Sequence, residues 1–467
     1  MDFNISWVYV VCILLLAYYF LKYGVIKSFL NPVVVILLYH VLIYKSISVS
    51  DENYFIVNFY ILLSFVIYIS TFIFFYNSKQ PFLNRIAFRN ASLLVSNKFI
   101  LSNYFLLFCL FFTICHSFYY VDLYARAVGS FEEALVRFYS KNYDFNKISE
   151  WEIKFEIILN SILLLLVALL RYSYNILPSK KRYAVFLICL AVVIAMAFPR
   201  GTRGYLIMPL FLIIFADILY KFKNHGLSIL KGFFKIDLAV IGVFVMGLVF
   251  ILSNIRGNSF ENPADLKRYL SKNQSKIEYS LNKGNKRDPF DITIFIEYCV
   301  TNFGKKHEYL IMHTPLTMIV NLIPRSMWYN KPVGFGLILA QYSHGYSRNM
   351  DDVIKAATRK TNKTSFAAGL TGEGYANGGT LGVVFLSFFI GWITGILGNM
   401  AKFAFLNNSI FVNVFGIVFF QASTSFVRGA MLDAWSGSVY PIVILILLIY
   451  FALNLKFLIY SVLKLKI

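Results

Sequence analysis

The sequence predicts an all-α polytopic membrane protein with about eleven transmembrane helices, and three observations carry that prediction. Hydrophobic residues make up 58% of the 467-residue chain and charged residues only 14%, with a mean hydropathy of +0.66. The apolar residues gather into runs, most of them long enough for a helix rising 1.5 Å per residue to cross a hydrocarbon core of about 30 Å. The net charge of +21 is distributed as clusters of Lys and Arg between those runs. A basic chain of this size could suggest nucleic acid, but clusters on alternate loops set membrane topology and touch anionic headgroups instead. No nucleic-acid partner is expected.

The predicted spans lie near 5–21, 30–44, 54–76, 99–119, 155–177, 183–198, 205–220, 236–255, 381–401, 409–427 and 435–457. With the N-terminus outside, the inner loops are rich in basic residues, among them Arg171, Lys180, Lys181, Arg182, Lys221 and Lys223. The short outer loops hold only Lys45, Arg200, Arg203 and Arg428. That asymmetry is the positive-inside pattern. The first apolar run has no basic region before it and no small-residue cleavage site after it, so it reads as a retained span rather than a signal peptide. The 18% aromatic share fits, since Tyr and Trp collect at membrane interfaces. Cys12, Cys109, Cys115 and Cys189 fall inside apolar runs and Cys299 in an outer segment. Neither a disulfide nor a metal spacing is present among them.

The chain reads as one polytopic domain, 1–467, with two long outer segments at 120–154 and 256–380. The first has an amphipathic stretch near 131–139. The second begins polar and lysine-rich over 256–287 and then contains two short apolar stretches, 292–303 and 309–323. The latter is broken by Pro315 and, at about 15 residues, is too short to span, so it reads as a re-entrant or interfacial helix. Asp217 and Asp237 fall near inner span ends, where they are expected to stay hydrated. His40 and His116 lie in or near spans with no evident partner.

One hairpin places charge against the pattern. The turn Pro199-Arg200-Gly201-Thr202-Arg203-Gly204 lies on the outer side, since lysines flank the inner ends of the runs on either side. Those runs offer about 32 helical residues for two crossings, roughly 24 Å each, against the ~30 Å required. The turn is therefore sunk at or below the outer interface. An arginine at mid-membrane costs on the order of 2.5–3.5 kcal/mol, less near the surface. An anionic group such as a lipid phosphate would compensate.

Other constellations face the same side. The segment 323–332 reads Ile-Pro-Arg-Ser-Met-Trp-Tyr-Asn-Lys-Pro. It sets Arg325 after a membrane-seeking helix, then Trp328 and Tyr329, then Lys331 before a rigid proline. An anionic headgroup with a sugar stacked beside it fits this pattern; so does an ordinary snorkelling anchor with an aromatic belt. The segment 366–379 reads Phe-Ala-Ala-Gly-Leu-Thr-Gly-Glu-Gly-Tyr-Ala-Asn-Gly-Gly and runs into the span at 381. Its glycines permit close approach to a ligand, although the phosphate-loop pattern is absent. A desolvated Glu373 would hold a proton more readily and could accept one from a sugar hydroxyl; a glutamate paired with a nearby basic residue is the plainer reading. Arg428 follows the tenth span, with Asp433 close enough for a simple salt bridge. His344 is the outward histidine best placed for proton transfer, unless it is merely solvated. Arg200, Arg203, Arg325 and Arg428 all abut outer membrane ends. Guanidinium groups bind phosphate bidentately and stay charged at any working pH, so several together could stabilise a diphosphate leaving group without a metal.

In this order, these motifs resemble those of the bacterial oligosaccharide repeat-unit polymerases, the Wzy-type O-antigen polymerases. The likeness rests on Pro199 with the arginine-rich turn, on Ile323-Pro324-Arg325 with its aromatic pair and Lys331-Pro332, and on Gly372-Glu373, Tyr375, Asn377 and Gly379 before an apolar helix. The motif matches cover about a tenth of the chain. The resemblance implies a fold related to the C-type membrane glycosyltransferases, a bacterial inner-membrane location and an active face in the periplasm. It implies a metal-independent glycosyltransferase, without cofactor, acting in lipopolysaccharide biosynthesis on two undecaprenyl-diphosphate-linked oligosaccharides. The growing glycan would move to the non-reducing end of an incoming unit. Arg203 and Arg325 with Glu373 or His344 would be catalytic. Arg200, Arg428, Trp328, Tyr329, Lys331, Tyr375 and Asn377 would bind substrate. Membrane lipids and a chain-length regulator protein would be its partners. Many relatives keep both termini inside, whereas eleven spans put them on opposite sides. Two other functions remain open: a ligase moving glycan onto lipid A-core with the same arginines, and a lipid-linked oligosaccharide flippase or other transporter. The charge-poor bilayer centre and long outer loop count against transport.

Overall fold

A computed structural model describes residues 5–23, 31–45, 49–78, 101–130, 148–200, 240–245, 247–248, 292–321, 327–328, 330–343, 350–353 and 366–406, with isolated residues at 213, 217, 323 and between 426 and 435. The regular structure among them is helical, apart from one isolated bridge between Phe303 and His307. The helices are α1 (Trp7–Tyr23), α2 (Pro32–Ile43), α3 (Asp51–Asn77), α4 (Asn103–Val128), α5 (Glu150–Ile176), α6 (Lys180–Arg200), α7 (Thr293–Asn302), α8 (His313–Val320), α9 (Phe335–Ser343) and α10 (Gly369–Leu406). Among the described residues, four stretches are long and apolar enough to cross a membrane: Asp51–Asn77, Asn103–Ala127, Ile158–Ile176 and Gly369–Met400. The protein is thus mostly helical, with several membrane-embedding helices. The expected spans at 205–220, 409–427 and 435–457, and most of 236–255, lie outside the described residues, as do the stretches 131–139 and 256–287.

The chain divides into two compact units, residues 1–94 with 287–467 and residues 95–286. In the first, local chemistry sets the helix starts. Pro32 opens α2, where a missing N–H costs nothing, and the Asn31 side chain accepts the Val33 N–H at 3.0 Å. Asp51 and Glu52 in the first turn of α3 complement its dipole. The main pairing is α3 against α10. Gly391 and Gly395 bring the α10 backbone against Tyr68, Thr71 and Phe72 of α3, and Ser64 and Ser387 share a buried hydroxyl hydrogen bond of 2.9 Å. Small residues and hydroxyl pairs of this kind replace the hydrophobic drive that helices in lipid lack. At the far end, the Asn399 amide donates to the Tyr76 and Ser78 carbonyls, capping α3. The Glu297 carboxylate of α7 accepts hydrogen bonds from Ser50 and Asn53 at the start of α3.

Helix boundaries differ from the expected spans where caps override hydropathy. α4 continues to Val128 and stops at Gly129, whose φ of 114° is open to glycine. α5 starts at Glu150 through a capping box in which the Ser149 hydroxyl and the Glu152 carboxylate satisfy each other's backbone. That carboxylate accepts the Ser149 N–H and the Arg126 guanidinium, which hold it below the usual carboxylate range. α6 carries on through Pro199 to Arg200, so these first two residues of the expected turn are helical, and the rest of it lies outside the described residues. Pro315 does not break its helix either. α8 begins at His313, and Pro315 sits in the first turn, where its nitrogen owes no intrahelical bond.

The second unit holds a polar cluster that corrects two expectations. Asp217 is not hydrated: it is 7% exposed. Its carboxylate takes Arg171 Nε at 2.8 Å and Nη2 at 2.7 Å, and Asn175 Nδ2 at 2.6 Å. Arg171 is fully buried over the rings of Tyr174 and Phe186. Arg182, only 4% exposed, donates to the Ser173 hydroxyl at 3.1 Å and to the Leu101 carbonyl. Two cations assigned to inner loops by charge bias are therefore packed inside, because carboxylate and carbonyl oxygens replace their water. Removing one partner of such a pair strands the other. Asp217→Leu is expected to destabilise the protein in detergent by about 3–5 kcal/mol, whereas pairing it with Arg171→Met recovers most of that loss. Thermal unfolding of the single and double variants checks this.

Candidate functional site

α10 is broken at its start. Gly378 and Gly379 leave helical geometry, Gly379 at φ 60°, and separate a short helix, 369–377, from the long one that follows. The short piece folds back so that a Cβ on Gly374 would lie 2.8 Å from the Val383 Cα, and one on Gly382 would collide with the Gly374 carbonyl. The glycines expected to open a ligand loop instead let two pieces of one helix touch.

The short helix carries Glu373, Tyr375 and Asn377. Glu373 is 1% exposed. One carboxylate oxygen accepts the Met431 N–H at 2.8 Å and the other accepts the Thr314 hydroxyl at 3.2 Å. Asn377 sits one turn on, on the same face. Its oxygen accepts the Thr314 N–H at 2.9 Å, and its amide donates to the Thr314 hydroxyl at 2.8 Å and the Glu373 carbonyl at 2.7 Å. Thr314 lies in the first turn of α8, where backbone N–H groups have no intrahelical acceptor. Asn377 therefore caps α8 from another helix, and the carboxylate sits by the positive end of the α8 dipole. The Ala376 carbonyl adds a bond from the Leu310 N–H at 2.8 Å.

Around this centre, Tyr375 packs edge-on against Tyr60 at 4.9 Å and near Tyr309 at 6.1 Å between ring centroids. The Tyr60 hydroxyl pairs with Thr380 at 3.0 Å. Cys299 is buried next to Gly372. Burial first, and the charge of Glu373 second, push its thiol up, so it stays protonated. A small cavity between α2, α3 and the short helix is lined by His40, Tyr44, Ser64, Tyr68, Thr371 and Val427. His40 is not partnerless: its Nδ1 lies 2.8 Å from the Ile36 carbonyl.

Lys331 is buried to 3% exposure, with its ammonium donating to the Asn321 and Ile323 carbonyls. Expected to meet substrate, it closes the C-terminal end of α8 and the loop beyond it. Trp328 is 39% exposed beside Met327, at 76%. Arg203, Arg325, Tyr329, His344 and Arg428 lie outside the described residues, and Arg200 is described only as the helical end of α6. Of the expected site residues, the structure brings Glu373, Tyr375 and Asn377 together with Thr314, Tyr309, Tyr60, Cys299 and the Met431 N–H. None of these additions was marked in the sequence. A threonine in a short apolar helix is a faint signal, and a backbone N–H gives none. Among the described residues no group of His, Cys, Asp and Glu could hold a metal ion.

No family model, curated protein or solved structure matches the chain.

Gly382→Ala is expected to force the two pieces of α10 apart, at a cost of about 1–3 kcal/mol. Gly242→Ala, which meets open space, leaves stability unchanged or slightly raised. Unfolding midpoints in detergent separate the two.

Proposed function

We propose that this protein polymerises undecaprenyl-diphosphate-linked oligosaccharide repeat units at the periplasmic face of a bacterial inner membrane. One observation supports this reading most. The Gly-Glu-x-Tyr-x-Asn-x-Gly segment, the helix leading into Ile323-Pro324-Arg325, and Met431, three residues after Arg428, are tied by one set of hydrogen bonds. One motif that suggests a polymerase thus meets, at one carboxylate, the helix that precedes a second and the Met431 backbone three residues after Arg428. The complete protein in this reading has about eleven spans with its N-terminus outside, in a fold related to the C-type membrane glycosyltransferases.

In the reaction, a hydroxyl on the non-reducing-end sugar of the incoming unit attacks the anomeric carbon of the growing chain. The bond from that carbon to the diphosphate oxygen breaks, its electrons leave with undecaprenyl diphosphate, and the hydroxyl proton passes to His344. Negative charge builds on the leaving diphosphate, which guanidinium groups would stabilise; Arg200, Arg203, Arg325 and Arg428 are the candidates the sequence offers. Trp328, Tyr329 and Tyr375 offer apolar faces to sugar rings.

Purified protein given synthetic undecaprenyl-diphosphate-linked units, without lipid A, is expected to produce a ladder of lengthening lipid-linked glycan on a gel. Transfer only after lipid A-core is added would make it a ligase, and no transfer under either condition would sink the reading. Arg203→Ala and Arg325→Ala are each expected to slow extension by roughly 10²-fold or more while membrane insertion, followed by fractionation, stays intact.

A further inference from the structure

We propose that Glu373 is a positioning residue, whose carboxylate clamps the short helix of α10 to α8 and to the Met431 backbone, and that it does not take the acceptor proton. This inference rests on the polymerase reading for its activity readouts but not for its structural ones.

A general base needs a lone pair within about 2.6–3.2 Å of the hydroxyl it deprotonates. Glu373 is 1% exposed, and each of its oxygens already accepts a hydrogen bond from the protein. The Thr314 hydroxyl has its direction set, because Asn377 donates to its oxygen and leaves its own proton for Glu373. The buried Cys299 thiol lies near enough to feel the charge of Glu373. The carboxylate therefore joins three separate stretches of chain: 313–320 in α8, 369–377 in α10, and residue 431. Arg428 stands three residues before Met431, and Arg325 follows α8 by five. Lys331 closes the other end of α8 onto the Asn321 and Ile323 carbonyls, so this helix is held at both ends. A geometric job of this kind needs an acceptor at each carboxylate position, not a titrating group.

Glu373→Gln and Glu373→Leu separate the two roles. The amide oxygen of glutamine can still accept the Met431 N–H, and its nitrogen can donate to the Thr314 hydroxyl oxygen. Leucine fills similar space but satisfies neither. Glu373→Gln is expected to keep wild-type glycan length, a rate within about threefold and an unshifted pH profile of extension. Glu373→Leu is expected to weaken binding of undecaprenyl diphosphate and to speed amide exchange at Met431 and the start of α8 by roughly 10- to 100-fold. Thr314→Val, which removes only one link, lies between them and guards against a leucine variant that fails to fold. Loss of extension in Glu373→Gln with normal diphosphate binding and normal exchange would identify a proton acceptor and overturn the proposal. Unchanged exchange in both Glu373→Leu and Thr314→Val would overturn it too. A wild-type protein that makes no ladder, while exchange responds as described, would instead remove the polymerase reading and leave the clamp standing.

Discussion

Polar groups set among apolar helices must find their partners within the protein, because lipid supplies neither donors nor acceptors. Both polar centres of this structure follow from that constraint. Around Glu373, two oxygens, one threonine hydroxyl, one asparagine amide and two backbone N–H groups satisfy one another. Around Asp217, a bidentate arginine and an asparagine do the same. Neither cluster is a set of interchangeable surface ion pairs. A buried donor stripped of its partner costs far more than an exposed pair contributes, so each cluster specifies one arrangement of the helices that meet there.

The break in α10 shows how backbone chemistry supplies that arrangement. An uninterrupted helix would carry Glu373 and Asn377 along the axis of the span, away from α8. With Gly379 in the left-handed region and Gly374 and Gly382 permitting contact, the first turns double back against the span instead. Half-helices whose ends lie beside a polar centre recur where membrane proteins handle charged ligands, and here the broken end faces the N-terminus of α8. Gly374 and Gly382 here let helix pack on helix.

For the polymerase reading, the arrangement divides labour between residues that act on substrate and residues that hold them. Lys331 is committed to the end of α8 and Glu373 to its beginning. The remaining chemistry would fall to arginines, whose charge is independent of pH, to His344 as proton acceptor and to aromatic faces. Such a division suits transfer from a diphosphate, where fixed charge placed beforehand lowers the barrier more than mobile charge does.

Membrane embedding and helical class were legible in the sequence, because hydropathy acts residue by residue. So were the centres of α3, α4, α5 and α6, although caps at Gly129 and Ser149 moved their ends. The partners were not legible. Nothing in the order of residues says that Arg171 meets Asp217, forty-six positions away, or that the Glu373 carboxylate receives the Met431 N–H, fifty-eight positions on. Whether a carboxylate is a proton acceptor or a clamp depends on what surrounds its lone pairs, and packing alone brings those neighbours together. The sequence by itself determined which residues are chemically capable; the tertiary structure decided which of them are already occupied.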